Sequence, residues 1–310
     1  MAEIIDLLKA LKHDLERRIV PTSAEEISQR LELLSIGLSQ QCPVLGAGAR
    51  MFRIRSMREK PTLINDVREP PPEISPIGRL NEKGQSILYL ADSPDTVFAE
   101  RGAHAGDFIL SEWRVTAEKL AMANGAIPPA IVAKRFPSQV SGVTPKFSPK
   151  ADADEIQNLF REIYTLDVRD IPLLYRWSIA CGLVNGFSHK CDRKDAGETP
   201  EGLTRWKGRC PFSAVAYPSI RTEKKSLNYA FNDRGRLHLK LDHLQWIRRF
   251  EDGSYTSLDF SNSWDNENVI HWENRPAQFQ LKAGEKAKVA KIAETVWRYE
   301  TEDGSIPRFA

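Results

Sequence analysis

The sequence predicts a mixed α+β domain: a mainly antiparallel or split sheet with flanking helices, an N-terminal helical hairpin, and a C-terminal extension of strand hairpin and helix. Three observations lead there. Short apolar runs of strand length, some alternating with polar residues and some continuous, recur between Met51 and Ser257. Apolar residues spaced at three- and four-residue steps, the helical period, occur near both ends of the chain. Internal repeats and low-complexity tracts are absent, which excludes solenoid and fibrous architectures.

Taken in order, Ile4, Leu7, Leu8, Leu11 and Leu15 predict a helix over 3–19, and Ile27, Leu31, Leu34 and Leu38 a second over 23–40. Pro21, Thr22 and Ser23 stop the first, while Ser23 and Glu26 have the spacing of a capping box for the second. Residues 51–57 alternate as a strand. Prolines 70, 71, 72 and 76 make 65–76 an exposed loop, because proline lacks the amide that a helix or central strand needs. Residues 86–91 form a buried strand, and Ser93-Pro94-Asp95 then caps a helix running from Thr96 to about Gly102. Residues 108–116 alternate again. Proline, serine and lysine between 125 and 150 predict a long surface connection, with helices at 152–165 and 170–184. Core strands follow at 211–218 and 227–231, then an alternating run from Leu237 and a hairpin around Glu251-Asp252-Gly253. Val289, Ile292, Ala293 and Val296, with lysines opposite, predict a last helix over 284–300. The resulting division is a helical extension over 1–47, a core with a long insert over 48–235, and a hairpin and helix packed on the core over 236–310.

Composition narrows the function classes. Lysine and arginine total 44 against 42 acids, leaving little net field to attract a polyanion, so direct nucleic-acid binding is not expected. No apolar run approaches the ~20 residues that cross a bilayer. Acids and bases run through the first helix, where a signal peptide would be apolar, and a cytoplasmic location is expected. Cys181, Cys191 and Cys210 with His189 lack the paired-cysteine spacing of a zinc knuckle, so no metal is expected and the thiols are read as reduced. Gly46-Ala47-Gly48-Ala49 precedes a strand instead of joining strand to helix, unlike a dinucleotide fingerprint. The glycine-x-serine-x-glycine elbow of serine hydrolases does not occur.

Four segments stand out together: MFRIRSM at 51–57, GRLNEKGQSILYLADSPDTVFAE at 78–100, AYPSIR at 216–221 and SLNYAFND at 226–233. Their order resembles the RES domain family. That family's pattern runs from an arginine in an early strand through a glycine-arginine-x-asparagine turn and a strand ending tyrosine-leucine-alanine. A helix bearing a glutamate, a proline-serine pair and an asparagine then follow. Each fragment alone is weak, whereas the ordered set is specific and covers roughly residues 48–235. By the resemblance the site residues are Arg53, Arg79, Tyr89, Glu100, Ser219 and Asn228. It implies a fold similar to the ADP-ribosyltransferase-like split antiparallel sheet and a toxin-type enzyme whose substrate is NAD, with no separate bound cofactor. NAD would be degraded by phosphorolysis or hydrolysis, or its ADP-ribose transferred to a macromolecule. The resemblance also implies an inhibitory partner, a helix-turn-helix antitoxin among them, with homo-oligomerisation open. Two departures are visible: Leu80 replaces the usual aromatic, and the stretch between Glu100 and Ser219 is longer than in compact members.

The chemistry asks for these residue types in its own right. Loss of nicotinamide leaves positive charge on the ribose ring, an oxocarbenium-like state that a carboxylate stabilises, and Glu100 suits that task. Arg53 and Arg79 offer planar forks matched to phosphate oxygens, with Arg55 a rival to Arg53 because residues two apart in a strand share a face. Tyr89 could stack on nicotinamide or hydrogen-bond ribose or phosphate, or simply be a core tyrosine with a satisfied hydroxyl. Ser219, held by Pro218, is read as a hydrogen-bonding group, while Asn228 orients the sugar or closes a strand end. The acceptor of the ribosyl group, whether water, phosphate or a protein side chain, is open. So is a reading from another class, in which the pocket only senses a nucleotide and the terminal helices hold partners.

Overall fold

The computed structural model describes residues 2–17, 41–76, 78–81, 83–102, 104–125, 127, 129–136, 139–141, 155, 158–159, 162, 214–222, 226–274, 287–293 and 296–301. These are mainly strand with few helices, consistent with α+β. The second N-terminal helix, the helix at 170–184 and Cys181, His189, Cys191 and Cys210 lie outside the described residues. Positions 155, 158, 159 and 162, inside the helix expected over 152–165, are helical. The chain divides into two compact units: Met1–Ala49, Glu69–Leu90 and Val115–Leu239 in the first, and Arg50–Arg68, Ala91–Arg114 and Lys240–Ala310 in the second.

In the first unit, α1 (Ala2–Glu16) realises the first amphipathic helix. β1 (Gln41–Gly46) pairs antiparallel with β5 (Lys119–Ala121) and with β7 (Gln139–Ser141). Another sheet portion runs in the order β3 (Leu88–Ala91), β9 (Leu227–Phe231), β8 (Ala214–Pro218), β6 (Ala123–Asn124). β8 and β9 are antiparallel and buried at every position, as their continuous apolar sequence requires, and β6 joins β8 in parallel. The surface connection expected from residue 125 is in part an ordered element. α3 (Pro129–Arg135) places Val132 in the core, with Ile127 and Phe136 buried beside it. A proline at the first helical position costs no hydrogen bond, which is why a proline-rich stretch can still start a helix.

The second unit has the order β11 (Tyr255–Ser261), β10 (Leu239–Arg249), β4 (Gly106–Val115), β2 (Arg50–Ser56). β2 and β4 pair antiparallel with Arg53 opposite Ser111, and β10 and β11 form the expected hairpin around Gly253 at φ 83°. α2 (Pro94–Arg101) packs on β2, and its Val97 and Phe98 share a core with Phe52, Ile54, Phe108, Leu110, Ile247 and Tyr255. The loop over 65–76 is less exposed than its prolines suggest: Val67 and Ser75 are buried, in separate units, and three-residue 3-10 turns occur at Ile64–Asp66 and Pro72–Ile74.

The C-terminal helix expected over 284–300 is not formed. β14 (Ala287–Ala293) and β15 (Val296–Thr301) make an antiparallel hairpin instead, with Lys288 opposite Glu300, Val289 opposite Tyr299 and Lys291 opposite Trp297. Short strands of β-branched and aromatic residues place apolar residues at three- and four-residue steps by coincidence.

Candidate active site

The first unit carries four of the six residues that the sequence singled out: Arg79, Tyr89, Ser219 and Asn228. Arg79 lies on a turn, 78–81, closed by Gly78 N donating to Asn81 O at 3.1 Å. Leu80 N donates to the Tyr89 hydroxyl at 2.9 Å, and that hydroxyl donates to Asn81 Oδ1 at 2.7 Å. The Asn81 amide donates to the carbonyls of Pro76 at 2.7 Å and Gln85 at 3.2 Å. Glycine is required at 78, since a Cβ there would stand 2.2 Å from Asn81 Oδ1 and 2.9 Å from the Tyr89 hydroxyl. The turn is anchored further by Leu80, fully buried, while Arg79 itself is half-buried. Tyr89 sits on β3, beside the strand that carries Asn228. Asn228 is buried in β9 opposite Tyr217, and Ser219, fully buried, follows Pro218 at the end of β8 with its amide donating to Ser226 O at 2.8 Å.

Arg53 and Glu100 belong to the second unit. Phe52 and Ile54 turn into the core beneath α2, so Arg53 and Arg55 take the alternate positions of β2. Arg53 is half-buried and its Nε fully so. Arg55 differs from its rival in its partners: its guanidinium donates to the carbonyls of Asp66 at 2.6 Å and Arg68 at 3.0 Å. Desolvation lowers the Arg55 pKa against the opposing pull of Asp66, and the charge of Arg101 at the end of α2 adds to the lowering. Arg55 therefore holds the loop.

α2 is built as its sequence directs. Ser93 caps it by accepting from Thr96 N at 3.2 Å, Pro94 starts it, and Gly102 ends it in the left-handed conformation at φ 59°. Glu100 is exposed in the last turn, next to Arg101. A carboxylate at a helix C-terminus opposes the macrodipole at a cost of roughly 0.3–1 kcal/mol.

A charged cluster in the second unit went unnoticed in the sequence. Glu112 on β4 is buried, with Oε1 3.3 Å from Arg50 Nε and 3.9 Å from Arg114 Nε, and Oε2 3.6 Å from His243 Nε2. His243 Nδ1 lies 3.4 Å from Asp242 Oδ2, which pairs with Arg114 at 2.8 Å, and Gln245 Nε2 lies 3.3 Å from His243 Nε2. Burial pushes the Glu112 carboxyl up and the His243 imidazole down, against the opposing pulls of Arg50 and of Asp242 respectively. Ligand atoms of Glu112, Asp242 and His243 fall within 4.8 Å of one another. The two carboxylates, however, face opposite nitrogens of one ring, and two guanidinium groups already balance them. That arrangement is a line of ion pairs and not a chelate. The signal available in sequence was a glutamate inside the strand-like run FILSEWRV.

No protein-family model matches the chain, and no curated protein gives a significant match.

Proposed function

We propose that this protein consumes NAD by cleaving the bond between nicotinamide and ribose. Glu100 carries the reading: a solvent-facing carboxylate placed against its helix dipole, at the position where the RES-like pattern puts its glutamate. In the proposed reaction the C–N bond breaks with its electron pair going to nicotinamide. Positive charge grows on the ribose, and Glu100 stabilises it. Arg53 and Arg79 pair with phosphate oxygens, and Ser219 and Asn228 hydrogen-bond the sugar or amide. Phosphate or water then attacks the ribosyl carbon, giving a phosphorylated ADP-ribose or free ADP-ribose and a proton. The ADP-ribosyltransferase-like fold belongs to the same proposal, supported by the α+β, mainly antiparallel character of the chain. So do a cytoplasmic site of action and control by a helix-turn-helix antitoxin. Among the described residues no helix is long and apolar enough to cross a membrane.

Purified protein incubated with NAD, with and without phosphate, tests the reaction when nicotinamide is followed by chromatography. Release of nicotinamide is the expected result, and faster release with phosphate identifies phosphorolysis. Label from tagged NAD appearing on a protein would identify transfer instead. Binding of NAD with no turnover would replace the enzyme by a nucleotide sensor.

A further inference from the structure

We infer that Asn81 and Tyr89 are positioning residues, a hydrogen-bonded lock that holds the 78–81 turn and so presents Arg79 in a fixed orientation. The only acidic proton of the Tyr89 hydroxyl goes to Asn81 Oδ1 at 2.7 Å, and one of its lone pairs takes Leu80 N at 2.9 Å. Asn81, only 4% exposed, spends both amide hydrogens on the carbonyls of Pro76 and Gln85. The tyrosine thus ties the strand β3 to the turn, and the asparagine ties the turn to the chain on either side of it. Gly78 leaves the space that both side chains fill, since a Cβ there would overlap Asn81 Oδ1 at 2.2 Å. Gly78, Asn81 and Tyr89 therefore serve Arg79. A flexible loop would pay to be ordered at each binding event, whereas the backbone that carries Arg79 is tied down in advance.

The lock rests on the proposed NAD reaction for its kinetic consequence but not for its structural one, and two readouts separate them. In kinetics, Tyr89→Phe keeps the ring and loses both bonds. Because a phosphate contact is made equally in ground and transition states, KM for NAD is expected to rise about tenfold with kcat within about twofold of wild type. In limited trypsin digestion followed by mass spectrometry, cleavage after Arg79 is expected at least about tenfold faster in Tyr89→Phe and Asn81→Ala than in wild type, since local opening governs access. Cleavage after the exposed Arg58 should be unchanged and reports that the rest of the fold is intact. Unchanged cleavage after Arg79 in Tyr89→Phe overturns the lock, as does loss of kcat at constant KM, which would put the hydroxyl at the reacting atoms. Wild-type protein that releases no nicotinamide while the digestion behaves as expected defeats the NAD reading and leaves the lock standing.

Discussion

Tyr255 is buried against Phe98, with ring centroids 5.1 Å apart, and its hydroxyl has no hydrogen-bond partner among the described residues. Desolvation, with a smaller contribution from Asp95, raises its pKa, so it stays neutral. An isolated buried hydroxyl costs about 1–3 kcal/mol, and Tyr255→Phe is expected to hold or raise the melting temperature; a clear fall would reveal a bond to that oxygen. His243 gives a signed pH effect. Its folded pKa lies below the usual 6.5, so just below pH 6.5 the unfolded chain binds the proton that the folded chain refuses, and stability falls as pH drops through that window. Glu112 acts the other way: its raised pKa makes the folded chain the better proton acceptor above pH 4.5, so its penalty is relieved as pH falls. Urea denaturation at pH 7.5 and 6 should show the loss in wild type and a smaller one in His243→Gln; an equal loss in both assigns it elsewhere. At this scale the sequence names candidate side chains and not what occupies them. Arg53 and Arg55 are indistinguishable by spacing, and nothing near them in sequence announces that Arg55 holds the carbonyls of Asp66 and Arg68.

Capping chemistry made α2 legible at both ends. α2 is announced by Ser93, Pro94 and Gly102, three residues that each solve a specific problem of a helix terminus. Ser93→Ala is accordingly expected to cost about 1 kcal/mol, read as a lower urea midpoint with an unchanged slope; no shift would mean that the bond to Thr96 contributes nothing. Period alone was a weaker guide. The β14 and β15 hairpin reads as a helix by period because Val289, Ile292 and Val296 satisfy the helical step, although β-branched residues favour strands. α3 escaped notice for the opposite reason: its prolines suggested a loop, yet a proline is welcome where a helix begins.

For the whole molecule, the strand content and the α+β class follow from apolar runs that are continuous in β8 and β9 and mixed in β2 and β10. The division into two compact units was not readable, because each unit is assembled from separate stretches of chain, with crossings after Ala49, Arg68, Leu90, Arg114 and Leu239. The near balance of 44 basic and 42 acidic residues leaves the electrostatic demand of a dinucleotide to particular arginines. The most direct test of NAD cleavage compares nicotinamide release by wild type and Glu100→Gln, with NAD binding measured by calorimetry on both and circular dichroism as a check of folding. If Glu100 stabilises charge present only in the transition state, the variant binds NAD about as tightly as wild type and releases nicotinamide roughly 100- to 1,000-fold more slowly. Release at the wild-type rate from the folded variant would contradict the assignment.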